Sequence, residues 1–399
     1  MTVIQAADLL RELVRIPSVG GTPDEAGIQA YLADLLRDSG LEVDHWRLPL
    51  AELTAEPDFP GMEAERTESW GLVARLPGTG GGRSIMFNGH VDVVPPGDLD
   101  AWHGDPYSGA LHGDLLFGRG ACDMKGGLVS ALLAVLELRK ARPRGDVLIA
   151  CVVGEEDGGL GTYGLLRRGW RADACVIPEP TGLAVVPANA GALTFRLRVP
   201  GLAAHAARRG SGVSAIEKFL PVFAALRELE ARRCAEVDPL MRRWDIAYPI
   251  EIGMVRAGDW ASSVPGELVA EGRLGVALDE SPAAAQAALE AAVATACAAD
   301  PWLADHPITV EWWGGQFVPA RNGDAELVQR LVRATGGQPE LWGAPYGSDL
   351  RLLAAAGIPT VQYGPGDIDL AHAPNEHVRI SEVVTATATL VRLAADHCG

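Results

Sequence analysis

Histidine and carboxylate side chains recur in this sequence where strands would end. His90-Val91-Asp92, Asp123, Glu155-Glu156 and Glu179 each fall just after a predicted strand, and His372 follows the apolar run Pro359–Tyr363. Active sites of open α/β sheets collect outside the carboxyl ends of the strands, so these groups are candidates to meet in one place. Imidazoles and carboxylates together are donors suited to divalent transition metals. Positions i and i+2 of an extended segment point to one side, so of His90 and Asp92 one can ligate while the other fixes the imidazole tautomer. The adjacent carboxylates of Glu155 and Glu156 would repel each other unless cations or protons intervene. One of them can ligate while its neighbour handles a proton. Asp123 lies between glycines that let the backbone fold tightly around it, immediately before a helix. Taken alone, it reads more simply as a helix cap.

Two glycine patterns compete with this reading. Gly159-Leu160-Gly161-Thr162-Tyr163-Gly164 is a literal G-x-G-x-x-G after a strand, with Glu179 downstream where a ribose-binding carboxylate would be sought. However, Glu155, Glu156 and Asp157 would stand beside the pyrophosphate and cancel the benefit of a helix N-terminus, so a dinucleotide is not expected. The stretch Gly78–Arg83 lacks the Lys-Ser/Thr ending of a phosphate loop and reads as a turn.

The elements that must position these groups follow from apolar spacing. Two amphipathic helices open the chain, over residues 4–14 and 28–36. From Trp70, strands at 71–76, 84–88, 146–153 and 174–177 alternate with a helix at 127–139, the pattern of an α/β sheet. The acidic, Pro- and Gly-containing stretch Pro49–Ser69 reads as a surface insertion. After Pro187 the texture changes to two strand–helix units and a strand, over residues 194–199, 213–233, 268–278, 282–299 and 308–312. Alternation then resumes to the end. The reading is an α/β catalytic domain in two parts, 1–186 and 315–399, with an α+β domain inserted at 187–314.

Composition narrows the function classes. Apolar residues at 48%, charged residues at 22% and 399 positions describe an ordinary globular chain with ample core. A formal charge of −18 repels phosphate backbones, so no nucleic-acid partner is expected. No apolar run is long enough to span a membrane, and the first residues lack the layout of a signal peptide, so a cytoplasmic protein is expected. Six scattered cysteines without a C-x-x-C pair suggest neither a disulfide framework nor a thiolate zinc site.

The blocks Phe87-Asn-Gly-His-Val-Asp-Val-Val-Pro95, Gly118-Arg-Gly-Ala-Cys-Asp-Met-Lys-Gly126, Gly154-Glu-Glu156, Pro178-Glu-Pro-Thr181, Gly201-Leu-Ala-Ala-His-Ala206 and Tyr363-Gly-Pro-Gly366 with Ala371-His-Ala-Pro-Asn-Glu376 occur in one order across nearly the whole chain. In this the sequence resembles the two-zinc aminoacylases and peptidases that include acetylornithine deacetylase, succinyl-diaminopimelate desuccinylase and the glutamate carboxypeptidases. The resemblance implies a zinc-peptidase-like catalytic domain with an inserted lid and dimerisation domain. It implies that Asp123 bridges two metals, that His90 and Glu179 complete one site, and that Glu156 and His372 complete the other. Asp92 would orient His90, Glu155 would be the general base, and the peptide after Asp123 would be cis. Such a ligand set suits two zinc ions and tolerates cobalt or manganese. Cations ~3.5–4 Å apart would supply a metal-bound hydroxide and polarise an amide carbonyl.

His205 matches the family histidine that reaches the partner subunit's active site and binds the oxyanion, which implies a homodimer. For the substrate carboxylate, Arg273 matches a family arginine, while Ser262 stands where relatives carry asparagine; Arg351 is a further candidate. Trp102, Trp260 and Trp342 are candidates for an apolar wall, and Cys122 is expected to be buried. The expected activity is removal of an acyl group from an N-acyl amino acid or related small amine. The alternative is a metallo-dipeptidase or carboxypeptidase using the same metals.

Overall fold

The structure, a computed structural model, describes residues 3–399; Met1 and Thr2, which begin the expected catalytic domain, lie outside the described residues. Among the described residues, no helix is long and apolar enough to cross a membrane. The chain divides into two compact units, one from Met1–Ala188, Arg321–Trp342 and Ser348–Gly399, the other from Asn189–Ala320 and Gly343–Gly347.

The first unit opens with α1 (Val3–Val14) and α2 (Pro23–Asp38), whose spaced residues Leu10, Leu13, Ile28 and Leu32 are fully buried. It continues through β1 (Glu42–Arg47), α3 (Leu50–Leu53), β2 (Trp70–Leu76), β3 (Ile85–His90), β4 (Ala110–His112), β5 (Leu115–Phe117), α4 (Gly126–Ala141), β6 (Val147–Val152), α5 (Leu160–Arg168), β7 (Ala174–Ile177) and β8 (Val185–Asn189). The second unit carries β9 (Gly191–Pro200), β10 (Ala204–His205), α6 (Ala215–Arg233), β11 (Ile250–Ala257), β12 (Ser263–Val264), β13 (Glu267–Val276), α7 (Pro282–Ala298), α8 (Pro301–Asp305) and β14 (Thr309–Phe317). The chain closes with β15 (Ala320–Arg321), α9 (Ala325–Thr335), β16 (Leu341–Ala344), α10 (Leu350–Ala355), β17 (Thr360–Gln362), β18 (His377–Arg379) and α11 (Ile380–Cys398).

In the first unit, β6, β3, β7 and β17 are adjacent and parallel. Every residue of these four strands is buried, as expected of a parallel sheet covered on both faces. Antiparallel β2 and β1 extend the sheet beyond β6, and β8 pairs with β17. Helix α4 packs on β3, β6 and α11, and is buried on nearly every side. That accounts for its almost uniformly apolar sequence.

The second unit is a four-stranded antiparallel sheet, β11-β13-β9-β14, with α6 and α7 on its apolar face. Leu193, Phe195, Leu197 and Val199 of β9 meet Phe219 and Val222 of α6 and Leu289 and Val293 of α7 in one core. On the other face Arg196 and Arg198 pair across the strands with Glu271 and Glu311. This alternation was readable; the edge strand β11 was not. Its residues from Gly253 to Ala257 face solvent, and a register shift between Ile252 and Met254 breaks the period.

The stretch Pro49–Ser69 lies largely at the surface, as expected of an insertion, but it is anchored inward at several points. Leu53 is buried, Phe59 packs edge-on against Tyr163 at 5.7 Å, and the Arg66 side chain is only 1% exposed. Its acidic composition hid the one cation that draws it inward.

Candidate metal centre

His90 is the last residue of β3, Glu155 and Glu156 follow β6, Glu179 follows β7, and His372 comes after β17. Four adjacent parallel strands therefore deliver these side chains to one edge of the sheet, and Asp123 arrives from the turn before α4. Ligand-capable atoms of His90, Asp123 and Glu179 lie within 4.8 Å of one another, and so do those of Asp123, Glu156 and His372. Asp123 belongs to both groups. Its Oδ1 is 3.1 Å from Nε2 of His90, and its Oδ2 is 3.6 Å from Nε2 of His372, which also lies 3.1 Å from Oε2 of Glu156. A carboxylate whose two oxygens face different imidazoles is placed to bridge two cations.

Buried groups hold this arrangement from behind. The carbonyl oxygen of Asp92 lies 2.9 Å from Nδ1 of His90, which leaves Nε2 to face Asp123. The Asp92 carboxylate accepts from the backbone N–H groups of Glu155 and Glu156 at 3.3 and 3.1 Å. One aspartate thus positions the ends of both β3 and β6. Glu376 accepts from the N–H groups of Cys122 and Asp123 at 2.9 and 3.0 Å, and Arg119 donates to Glu376 at 2.6 Å and to the His372 carbonyl at 3.2 Å. His372 and Asn375 adopt left-handed backbone angles, φ 60° and 61°, a strained conformation that the Arg119 bond and the Asn375 side-chain bonds to His103 and Ala101 help to fix. Buried Lys125 donates to the carbonyls of Leu13 and Ile16 at the end of α1. The Asp123–Met124 peptide is cis, as the resemblance led us to expect.

A glycine accounts for how close α4 comes to the Glu179 loop. A Cβ on Gly127 would lie 1.7 Å from the Pro178 carbonyl oxygen. Only glycine lets the helix start against that loop.

The electrostatics favour positive charge. Burial pushes Glu155 well above the usual carboxylate range, with Asp349, Glu179 and Glu156 adding to it and His90 opposing. Burial does the same to Glu179, reinforced by Asp123 and Glu156, and lifts Asp92 to about 7. Burial works against protonation of His90, but its bond to Asp123 and the charges of Asp92 and Glu179 outweigh it and raise this imidazole well above its ordinary value. His372 is raised to about 9, chiefly by Glu156. Carboxylates that hold protons and histidines that gain them both signal an excess of negative potential. Two divalent cations fit a donor set of two imidazoles and three carboxylates, and would replace those protons.

Glu155 is 7% exposed, beside both groups. His205, in the second unit, is exposed on the short β10–β12 ribbon, and its Nδ1 accepts from the N–H of Ala207 at 3.1 Å. Ser262 is exposed on the same ribbon, its carbonyl accepting from Ala206. Arg273 is half-buried, with its guanidinium 5.4 Å from the centre of the Phe317 ring. Arg351 is a correction: it is 2% exposed and donates to the carbonyls of Ser348 at 3.0 Å and Gly158 at 2.6 Å. These bonds spend the guanidinium on buried backbone, where it braces the loop that carries Gly158. Trp102 and Trp342 are buried in the first unit, and Trp260 is 72% exposed in the second. Cys122 is buried, and burial raises its thiol well above the ordinary value, which makes it inert.

Sequence reasoning gave no role to Glu376, Arg119, Lys125, Arg66 or Asp157. Glu376 and Arg119 do sit inside the quoted blocks, and the spacing of Glu376 four residues after His372 was the available signal. The G-x-G-x-x-G glycines serve packing: Gly159 has φ 89° at the start of α5, and a Cβ on Gly161 would meet the backbone of Val153 at 2.5 Å.

The family model described as "Peptidase family M20/M25/M40" matches residues 86–396. Among curated proteins, an N-formyl-4-amino-5-aminomethyl-2-methylpyrimidine deformylase of Bacillus subtilis (strain 168) is 28% identical over 413 aligned positions, covering 93% of this chain and 89% of that one. A succinyl-diaminopimelate desuccinylase of Leptothrix cholodnii is 31% identical, covering 94% of each chain. Among solved structures, human carnosine dipeptidase 1 superposes with a TM-score of 0.77 at 15% identity, covering 99% of this chain and 96% of that one, which is a likeness of fold.

Proposed function

The chain belongs to peptidase family M20/M25/M40, and from that premise we propose that it is a dinuclear metal-dependent amidohydrolase that removes an acyl group from an N-acyl amino acid or related small amine. The observation that carries the reading is the pair of ligand groups sharing Asp123, with buried Glu155 beside them. The deformylase and the desuccinylase that match nearly the whole chain both cleave an acyl group from nitrogen, by their names. For the peptidase alternative there are the family's description and solved structures such as the dipeptidase at 15% identity, which is too low to speak to substrate.

His90, Asp123 and Glu179 would hold one cation, and Asp123, Glu156 and His372 the other. Zinc suits this set, with cobalt or manganese as substitutes. When bound, such a pair of ions acidifies a water and polarises the amide carbonyl. Glu155 takes the water's proton and delivers it to the leaving amine nitrogen. Asp92 keeps His90 and the Glu155–Glu156 loop in register. His205, its Nδ1 accepting from Ala207, carries the neutral imidazole's proton on Nε2 and so presents a donor to the developing oxyanion. Arg273 anchors the substrate carboxylate, and the Ser262 hydroxyl donates a shorter-reaching bond where relatives have asparagine.

The second unit acts as lid and dimerisation domain in a homodimer, with His205 supplied across the dimer. Supporting this, β11 is an edge strand whose outer half is exposed, including Met254 at 45% and Val255 at 51%. His205→Ala is expected to lose ~10²–10³-fold in turnover with metal content unchanged. Mixing it with Glu155→Ala protein under subunit exchange should recover activity, because one site of each mixed dimer then has both groups. No recovery would place His205 outside the partner's site.

The function itself is tested by amine release from N-formyl, N-acetyl and N-succinyl amino acids and from dipeptides, using zinc- or cobalt-loaded protein and a chelated control. Chelator-sensitive release from the acyl amino acids is expected. Release from dipeptides alone would replace the deacylase reading with the peptidase one.

A further inference from the structure

Glu155, Glu156 and Asp157 share one loop, and the third of these carboxylates points away from the ligand groups into a buried ion network. Asp157 Oδ2 accepts from Arg66 Nη1 at 2.7 Å and from the backbone N–H groups of Ala64 and Glu63 at 2.7 and 3.1 Å. Arg66 presents its other edge to Glu25, with Nε and Nη2 each 2.9 Å from a different carboxylate oxygen. Glu25 in turn accepts from the N–H of Gly21 at 2.8 Å. The neighbouring Gly20 N–H donates to the carbonyl of Val93, which directly follows Asp92. Side-chain exposures of 1% for Arg66, 6% for Glu25 and 13% for Asp157 take this network out of water.

Arg66 therefore lies where two loops meet: the loop carrying Glu155 and Glu156, and the loop carrying Asp92. The backbone is also pressed from the same side, since a Cβ on Gly158 would fall 2.0 Å from the Gly61 carbonyl oxygen. From the other side, Arg351 donates to the Gly158 carbonyl at 2.6 Å. The loop between β6 and α5 is thus clamped by two arginines, one of them from the acidic stretch Pro49–Ser69.

We propose that Arg66 is a positioning residue for the hydrolytic site, acting through Asp157 to set where Glu155 and Glu156 stand relative to Asp123. Stretch 49–69 is then part of the active-site scaffold. The proposal rests on the amidohydrolase reading for its turnover consequence, but its geometric consequence can be read separately. A planar guanidinium bonds Glu25 in two places while reaching Asp157 with its third nitrogen; a lysine ammonium keeps the charge and loses that fixed fork.

The test uses Arg66→Lys and Arg66→Met in the full-length protein, with cobalt(II) as the metal probe. Groups behind metal ligands typically contribute about 10–100-fold to metal affinity or activity. Arg66→Met is expected to lower kcat by about that factor, with KM within about threefold of the parent. Its cobalt affinity should weaken and the visible cobalt spectrum should change shape. Arg66→Lys should fall between parent and Arg66→Met in all three readouts. Should Arg66→Met fail to fold, Arg66→Lys decides.

A cobalt spectrum, cobalt affinity and kcat all equal to the parent's in folded variant would overturn the proposal, whatever happens to the melting temperature. A parent that is silent on every amide but whose cobalt spectrum shifts in the variants would sink the amidohydrolase reading and leave the positioning role standing.

Discussion

Exchanging Glu155 for glutamine is expected to cut turnover by ~10²–10⁴-fold while the protein still binds two metal equivalents. Glutamine keeps the shape of a side chain that is 7% exposed, so packing is preserved, and it removes only the capacity to accept and return a proton. Glu155 shares its loop with Glu156, yet the two carboxylates stand in different relations to their surroundings. Glu156 lies 3.1 Å from the His372 imidazole and within the group that includes Asp123. Glu155 is in neither ligand group, and burial holds its carboxyl well above the usual range. A carboxyl whose proton affinity burial raises, beside a site for cations that would acidify water, is suited to relay a proton from water to amine. Steady-state amine release together with elemental analysis of the purified variant checks this. Full turnover would take Glu155 out of the proton relay, and loss of metal along with turnover would make it a ligand instead.

How much of this was legible without coordinates depended on which side chains carry a pattern. The parallel strands β6, β3, β7 and β17 announce themselves as short apolar runs, and His90, Glu155, Glu156 and Glu179 stand at or within four residues of their ends, with His372 ten residues beyond β17, so that the sheet rule brings them together. Asp123 lacked such a signal, because a lone aspartate between glycines before a helix looks like a cap. The resemblance of its block supplied what spacing did not. The residues behind the ligands were not legible for a different reason. Arg66, Arg119, Lys125 and Glu376 are charged, and in sequence a buried charge is indistinguishable from a solvated one until its partners are known. Arg66 and Asp157 are 91 residues apart, and Arg119 and Glu376 are 257 apart. Arg351 was misread on the same ground: its place near a motif suggested a substrate contact, whereas its donors go to Ser348 and Gly158. The edge strand β11 escaped because its outer half buries nothing, and strand recognition depends on one face being apolar.

Stripping the metals is expected to abolish amide hydrolysis and to lower stability by an amount that grows with pH. In the metal-free protein, Glu155 and Glu179 are held well above the usual carboxylate range, Asp92 is at about 7, His372 is at about 9 and His90 is raised well above its ordinary value. Each of these groups binds its proton more tightly folded than unfolded. The stability they contribute is therefore complete below their unfolded values, near ~4 for carboxyls and ~6.5 for imidazoles, and is lost as pH rises through the folded ones. Asp123 runs the other way: despite burial, its bond to His90 lowers it, so its contribution is complete above ~4 and stays constant across neutral pH. Asp92 gives up its share by about pH 7 and His372 by about pH 9, while Lys125, which burial depresses to about 7, contributes the opposite slope above pH 7 in stripped and loaded protein alike. Bound cations substitute for the departing protons, so the loaded protein should lose much less over the same interval. At a thousandfold excess of free metal over its dissociation constant, one site alone adds ~4 kcal/mol. Melting temperatures of chelated and zinc-loaded protein, taken at pH 6 and pH 8.5, measure the effect directly: the gap between the two forms should widen at the higher pH. A gap that stays constant or narrows would mean that these buried groups are not where the cations bind.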